Sequence, residues 1–337
     1  MTTQIRIQAQ PMVITVPMPT RSHQGPRPIN LNKDIPQVLR LLEYVFGKTL
    51  GPEGRSLLIS GRASGNEPAF LWRFSPAASS LAKGFVWEED GRIIANATLL
   101  TTRTPGRFLV VNVAVHPQHR RRGIAHHLME ALIEMVSRQH GREILLQVVK
   151  ENEAAINLYH QLNFDSLGNQ TTWYSHITRL NRLPGDVSGT AITELRRQDW
   201  QAAYALDRIS HSPLLNWPDT LSETSYRSRF WQQVNDMING AHKETWVVRD
   251  GRQLQGLVRI QSQWGRPHLL KLRVHPEARG VLERPLLAKA TRRLPYMAHR
   301  SIRIAHPDDD LLVNRLLTQA NFQSRRTLTH MRLALRD

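Results

Sequence analysis

The sequence predicts an α/β protein in which one unit, a mixed and mostly antiparallel sheet flanked by helices, is written twice in tandem. Three observations carry this. Apolar residues switch between helical and strand periods along the first half. Three segments of that half return in the second at nearly constant spacing. The length of 337 residues suits two cores of ordinary size better than one.

The first unit begins with a helix over Asp34 to Phe46, where Ile35, Val38, Leu41, Leu42 and Val45 fall at helical spacing before Gly47. Phe85–Trp87, Ile93–Thr101 and Phe108–Val115 read as strands, the first two joined at Asp90-Gly91, a pair suited to a tight primed turn. A second helix spans Ile124 to Val136, with Gly141 as its expected stop. Ile144–Val149 is an apolar run fitting a central strand. A third helix covers Asn152 to Leu162, with Asn163 placed for a left-handed cap, and final strands lie near Trp173 to Ile177.

The repeat is collinear. Asp90-Gly91 matches Asp250-Gly251 at an offset of 160, Val115-His116-Pro117 matches Val274-His275-Pro276 at 159, and Asn163-Phe164 matches Asn321-Phe322 at 158. The expected organisation is an extended arm over 1–26, a first domain over 27–182, a linker over 183–190 rich in Pro, Gly and Ser, and a second domain over 191–337.

Composition narrows the chemistry. With no cysteine, disulfides, thiolate metal sites and a cysteine nucleophile are excluded. The apolar runs are too short for a membrane span and residues 1–26 lack a signal-peptide core, so the cytoplasm is the default expectation. A net charge of +17 favours anionic ligands, although a solvated basic surface accounts for it equally well. Neither a helix-turn-helix nor an interleaved aromatic pattern marks a nucleic-acid module. The scattered histidines form no metal signature, so no metal is expected. Oligomeric state stays open, with a homodimer among the options.

Between the strand ending at Val115 and the helix starting at Ile124 lies Pro117-Gln118-His119-Arg120-Arg121-Arg122-Gly123-Ile124-Ala125. A helix start offers unpaired N–H groups, Gly123 and Ala125 permit close approach, and the three arginines add charge, which together suit a phosphate. A basic helix start on a solvated face would carry the same residues. His126 and His127, in the first turn, could touch a phosphate or simply face water.

This Arg-x-x-Gly-x-Ala loop after a strand, followed by Asn-x-x-Ala-x-x-Leu-Tyr at Asn152, Ala155, Leu158 and Tyr159, resembles the GNAT N-acetyltransferase superfamily over roughly residues 27 to 180. The resemblance implies two tandem GNAT-like domains and acetyl-CoA as co-substrate. Its pyrophosphate would be held around Arg120, Arg121, Arg122, Gly123, Ile124, Ala125 and His126, and its pantetheine by the backbone of Val113, Ala114 and Val115, with Asn152 and Tyr159 from the later helix. It further implies direct attack by a small-molecule or peptide amine on the thioester, with Tyr159 donating a proton to the departing sulfur; a core aromatic is the alternative reading of Tyr159. No acid stands in Val110-Val111-Asn112, and Glu88 and Glu89 are weak candidates for the base. The acceptor would be held by residues 47–84 and 165–180, where Trp72, Phe74, Trp173 and Tyr174 are available.

In the second unit Gly123 becomes Leu282, Ala125 becomes Arg284 and Tyr159 becomes Leu317, while Glu283 and Pro285 enter the helix start. A frame without acetyl transfer is expected there. A CoA-binding sensor or scaffold without chemistry is the competing function.

Overall fold

The computed structural model of the chain describes residues 25–47, 83–185, 191–210, 215, 226 and 241–335. The arm to residue 24, Trp72 and Phe74 with most of the 47–84 segment, and linker residues 186–190 lie outside them. Packing divides the chain into two compact units, residues 1–96 with 114–128, and residues 97–113 with 129–337.

In the first unit, β1 (Pro26–Pro28) pairs antiparallel with β2 (Gly84–Glu89), Pro26 opposite Trp87. Proline suits this edge because it donates no ladder hydrogen bond. Helix α1 (Ile35–Phe46) turns Ile35, Val38, Leu39, Leu41 and Leu42 inward against Val86, Ile93 and Ala114. Its stripe has the period the sequence shows. Asp34, fully buried before the helix, accepts from Arg27 Nη1 at 2.6 Å, Arg27 Nη2 at 2.9 Å and the Asn30 amide at 2.6 Å. A buried carboxylate persists only with such partners. Strand β3 (Arg92–Thr101) follows β2 through Asp90 and Gly91, whose φ values of 50° and 75° make the expected turn.

The second unit holds the C-terminal part of β3, most of β4 (Arg107–Val115) and α2 (Ile124–Arg138), and everything after them. Helix α2 ends in a left-handed residue, but it is His140 (φ 53°) and not Gly141. Gly141 is required for space instead, since a Cβ there would stand 2.2 Å from Val136 Cγ1. Then come β5 (Glu143–Val149), α3 (Glu153–Gln161) and β6 (Asp165–His176). A single 12-residue strand thus replaces the short final strands expected near Trp173 to Ile177.

The later part of this unit runs through β7 (Ile192–Glu194), α4 (Trp200–Ser210), the antiparallel β8 (His242–Asp250), β9 (Gln253–Ser262) and β10 (His268–Val274), then α5 (Glu283–Arg293), β11 (Ser301–Pro307), α6 (Leu311–Gln319) and β12 (Gln323–Ala334). Sheet order from β4 onward is β4-β5-β12-β6-β11-β10-β9-β8-β7. The last strands of the two repeats are therefore exchanged. β6 of the first lies against β11 of the second, Ser301 opposite His176, while β12 of the second lies against β5 of the first, Leu328 opposite Val149. β6 and β12 also pair with each other, and the Thr171 and Thr327 hydroxyls meet at 2.8 Å.

The break at 183–190 separates the repeats along the chain but not in the sheet. Its first residues are anchored as well: Leu183 is buried, its amide donates to Thr291 Oγ1 at 3.2 Å, and a Cβ on Gly185 would stand 2.3 Å from Ala288 Cβ.

Asp207 of α4 is fully buried and receives Lys271, Arg273 Nε and the Tyr226 hydroxyl, the last at 2.6 Å. Burial alone would raise its carboxyl, yet the charges of Arg273 and Lys271 hold it down at about 2.

Candidate functional site

In the first unit, β4 ends at Val115 and a short 3₁₀ turn, Pro117–His119, leads to Arg120 in an extended conformation. The chain then visits the left-handed region twice, at Arg121 (φ 63°) and Gly123 (φ 72°), before α2 begins. Glycine is needed at the second position, where a side chain would be strained and its Cβ would come 3.3 Å from the His127 ring. The first helical bond is His127 N–H to Gly123 O at 3.1 Å, so the Ile124 and Ala125 amides precede the ladder. These features fit a phosphate group.

The three arginines differ in what they do. Arg120 folds back, its Nε donating to Val115 O at 3.3 Å. Arg122 is committed to the β2–β3 hairpin, its Nη1 and Nη2 reaching the two Glu89 oxygens at 3.0 and 2.8 Å, and His119 adds a contact to Glu89 at 3.0 Å. Arg121 is exposed at the loop's left-handed corner. His126 is half-buried beside His127, whose Nδ1 lies 2.8 Å from Gly123 O, and Trp87 meets the His127 ring edge-on.

Val113 and Val115 are half-buried and Ala114 is buried. The parallel ladder between β4 and β5 runs from Arg107↔Glu143 to Val110↔Leu146 and stops. Two residues on, Asn112 takes φ 56°, a bulge-like break that sequence periodicity did not reveal.

In the second unit, Asn152 caps α3 by accepting from the Ala155 amide at 3.2 Å. Tyr159 lies on the helix's inner face, 6% exposed, with its ring 5.9 Å from that of Phe164. Asn163 takes the left-handed cap (φ 63°), letting Phe164 N–H reach Tyr159 O at 2.9 Å. Burial pushes the phenol up to about 12, so it stays protonated across working pH.

Neither carboxylate weighed as a base is free to act as one. Glu88 is held low by Arg27, bonded at 2.9 Å through Nε, and Glu89 by Arg122. Of the aromatics available for an acceptor, Trp173 packs against the apolar core of the second repeat, and Tyr174 sits under the Arg325 guanidinium. Core packing accounts for Trp173.

The second repeat rebuilds the loop with different contents. A 3₁₀ turn at Pro276–Ala278 and the left-handed Gly280 (φ 85°) reproduce Pro117–His119 and Arg121, but Leu282, at the position of Gly123, is buried in ordinary right-handed geometry. Leu317 is fully buried where Tyr159 stands, with Phe322 N–H on its carbonyl at 2.9 Å. Among the described residues, no helix is long and apolar enough to cross a membrane, and no three His, Cys, Asp or Glu side chains converge for a metal.

Residues 57–164 match the acetyltransferase (GNAT) family. Over 83 residues the chain is 35% identical to the peptidyl-lysine N-acetyltransferase YiaC of Escherichia coli K12, a match covering 25% of this chain and 50% of that enzyme. Over 109 residues it is 28% identical to the [ribosomal protein bS18]-alanine N-acetyltransferase of the same strain, covering 32% and 72%. The chain thus spans about half the length of the first relative. Similar solved structures include a tandem GNAT protein from the clavulanic acid biosynthesis pathway, with a TM-score of 0.51, 17% identity and coverage of 93% of this chain and 99% of that one. A GCN5-related N-acetyltransferase from Sphaerobacter thermophilus gives 0.59, 16%, 93% and 96%. The GNAT fold thus extends over both repeats, while the match to the acetyltransferase (GNAT) family lies in residues 57–164.

Proposed function

We propose that the chain is an acetyl-CoA-dependent N-acetyltransferase that works through its first repeat, carrying the acetyl group directly to a primary amine of a peptide or small molecule. The observation that carries this reading is the Arg121–Ala125 turn, where two left-handed residues, Arg121 and Gly123, deliver unladdered amides at the start of α2. Those amides hold the pyrophosphate, with Arg120 and Arg121 supplying charge and Arg122 fixing the loop through Glu89. The Val113–Val115 backbone pairs with the pantetheine amides. When bound, acetyl-CoA supplies an activated thioester.

Tyr159 acts as the acid. Its buried phenol remains protonated and donates to the sulfur as the C–S bond breaks, so that CoA leaves as a thiol. The amine loses its proton to water, because Glu88 and Glu89 are tied to arginines. The two enzymes matched above are named for a peptidyl lysine and for an alanine of a ribosomal protein, so a peptide amine is the first acceptor class to try.

The test is acetyl-CoA-dependent release of free CoA by the full chain over lysine peptides, peptides with free N-termini, amino acids and aminoglycosides. Acceptor-dependent release well above thioester hydrolysis supports the proposal. Tight acetyl-CoA binding with no release over the whole panel would favour a CoA sensor.

A further inference from the structure

The second repeat contains a cleft of about 570 Å³ between the diverging ends of β10 and β11 and the starts of α5 and α6. The β10–β11 ladder stops at Leu270↔Ile304, while β10 continues to Val274 and β11 to Pro307. The first repeat's ladder stops in the same way. Loss of Gly123 and Ala125 has therefore not closed the equivalent space, and its chemistry has changed in a consistent direction.

At the repeat offset, Ile124 becomes Glu283, Val148 becomes His306 and Asn152 becomes Asp310. All three replacements line the cleft. Asp310 keeps the capping role, its Oδ1 accepting from the Val313 amide at 3.1 Å, and adds a bond from His306 Nε2 to its Oδ2 at 2.8 Å.

Three polar side chains of this cleft, each more than nine-tenths buried, have an atom without a hydrogen-bond partner: Glu283 Oε2, His306 Nδ1 and Ser210 Oγ, at 3%, 8% and 9% exposure. Leaving such groups unpaired is costly, most of all for a charge, and decay into a merely structural domain gives no reason for them to gather in one cavity. Their polarity defines the ligand. With Nε2–H donated to the Asp310 carboxylate, His306 Nδ1 presents a lone pair, and the Glu283 carboxylate accepts only. The cleft's arginines are already engaged, Arg273 with Asp207 and Leu272 O, Arg279 with Ser210 O at 3.0 Å. A phosphate at this helix start would meet Glu283; a group rich in N–H donors and carrying positive charge would satisfy what is left open.

We propose that this cleft is a binding site for a small molecule bearing a primary ammonium group, which donates to Glu283, His306 and Ser210. It is separate from the acetyl-CoA site proposed for the first repeat, and it stands or falls independently of catalysis.

Calorimetry on the full chain without acetyl-CoA tests it, with 1,4-diaminobutane and glycinamide as probes and the permethylated bis-quaternary diamine as a control of equal charge without N–H. Saturable binding of at least one primary amine is expected. Glu283→Gln should weaken it by at least about 10-fold, as should permethylation of the diamine if that probe is the one that binds. Gly123→Asp should leave it unchanged. Should the Gln variant fold poorly, Glu283→Ile restores the first repeat's residue and should abolish binding while raising the Tm. Three results would overturn the proposal: no saturable binding of either amine at millimolar concentration, amine binding unaffected by loss of Glu283, or displacement of the amine by inorganic pyrophosphate, which would make the cleft an anion site.

Discussion

Residues 120–125 and 279–284 occupy the same place in the two repeats and differ in what they admit. Both follow a 3₁₀ turn and both pass through a left-handed residue, at Arg121 and Gly280. Only the first takes a second left-handed step, at Gly123, and opens on Ile124 and Ala125. The second closes that step with buried Leu282 and sets Glu283 at the helix start. The two helix entrances thus differ in a few side chains while the backbone path is largely kept, and on the proposed function those side chains decide whether a phosphate is admitted. The fold is set by apolar stripes and turns that both copies share, and the ligand by the residues that differ.

The largest effect that could break this comparison is expected from Gly123→Asp. It puts a Cβ against the His127 ring, strains the backbone and adds a negative charge at the proposed anion site. Acetyl-CoA affinity should fall at least about 100-fold, roughly 2.7 kcal/mol, in a chain whose near-UV circular dichroism is unchanged. Retained affinity would move the phosphate site elsewhere.

Tyr159→Phe sharpens the same contrast at α3, where the second repeat has Leu317. The ring's packing on Phe164 survives, so acetyl-CoA affinity should barely change, while kcat should drop by about 100-fold, the low end for a positioned proton donor. Donation ends only when the pH passes a phenol pKa of about 12, so the wild-type kcat should show no alkaline fall attributable to Tyr159 between neutrality and pH 10. A Phe variant with unchanged turnover would make Tyr159 a packing residue.

Asp207 belongs to the second repeat alone, and Asp207→Ala should cost about 3–5 kcal/mol because Lys271 and Arg273 lose their shared buried partner. The folded carboxyl titrates near 2 against an ordinary 3.8, so its contribution is complete above about pH 4 and is lost as pH falls toward 2. Denaturant melts of both chains at pH 7 and pH 3 measure the difference, which should shrink at the lower pH. An undiminished gap would mean that the ion pairs are not its source.

The smallest effect is predicted for Arg122→Ala. Since Glu89 already holds this side chain, acetyl-CoA affinity should weaken by only a few-fold, less than for Arg120→Ala. A larger loss from Arg122 would show that it leaves Glu89 to bind the ligand.

Much of each repeat was legible in sequence because it rests on local signals. The stripe of α1, the Asp90-Gly91 turn, the Asn163 cap and the loop before α2 all appear where period, positive-φ residues and helix-start chemistry place them. The strand exchange was not legible. β6 and β12 carry equivalent patterns, so either can satisfy β5 or β11, and periodicity specifies a strand without naming its partner. The Arg122–Glu89 pair escaped because a basic run does not reveal which charge is already neutralised. The cleft of the second repeat is half visible in sequence: Glu283 stands at the helix start, but its burial with an unpaired oxygen needs three dimensions.

The central claim is that two equivalent helix entrances have diverged into one that takes acetyl-CoA and one that does not. Its most direct measurement is the stoichiometry of acetyl-CoA binding to the full-length chain by isothermal titration. The account predicts one molecule per chain, lost in Gly123→Asp and kept in Glu283→Gln. Two molecules per chain, or one that survives Gly123→Asp and disappears in Glu283→Gln, would contradict it.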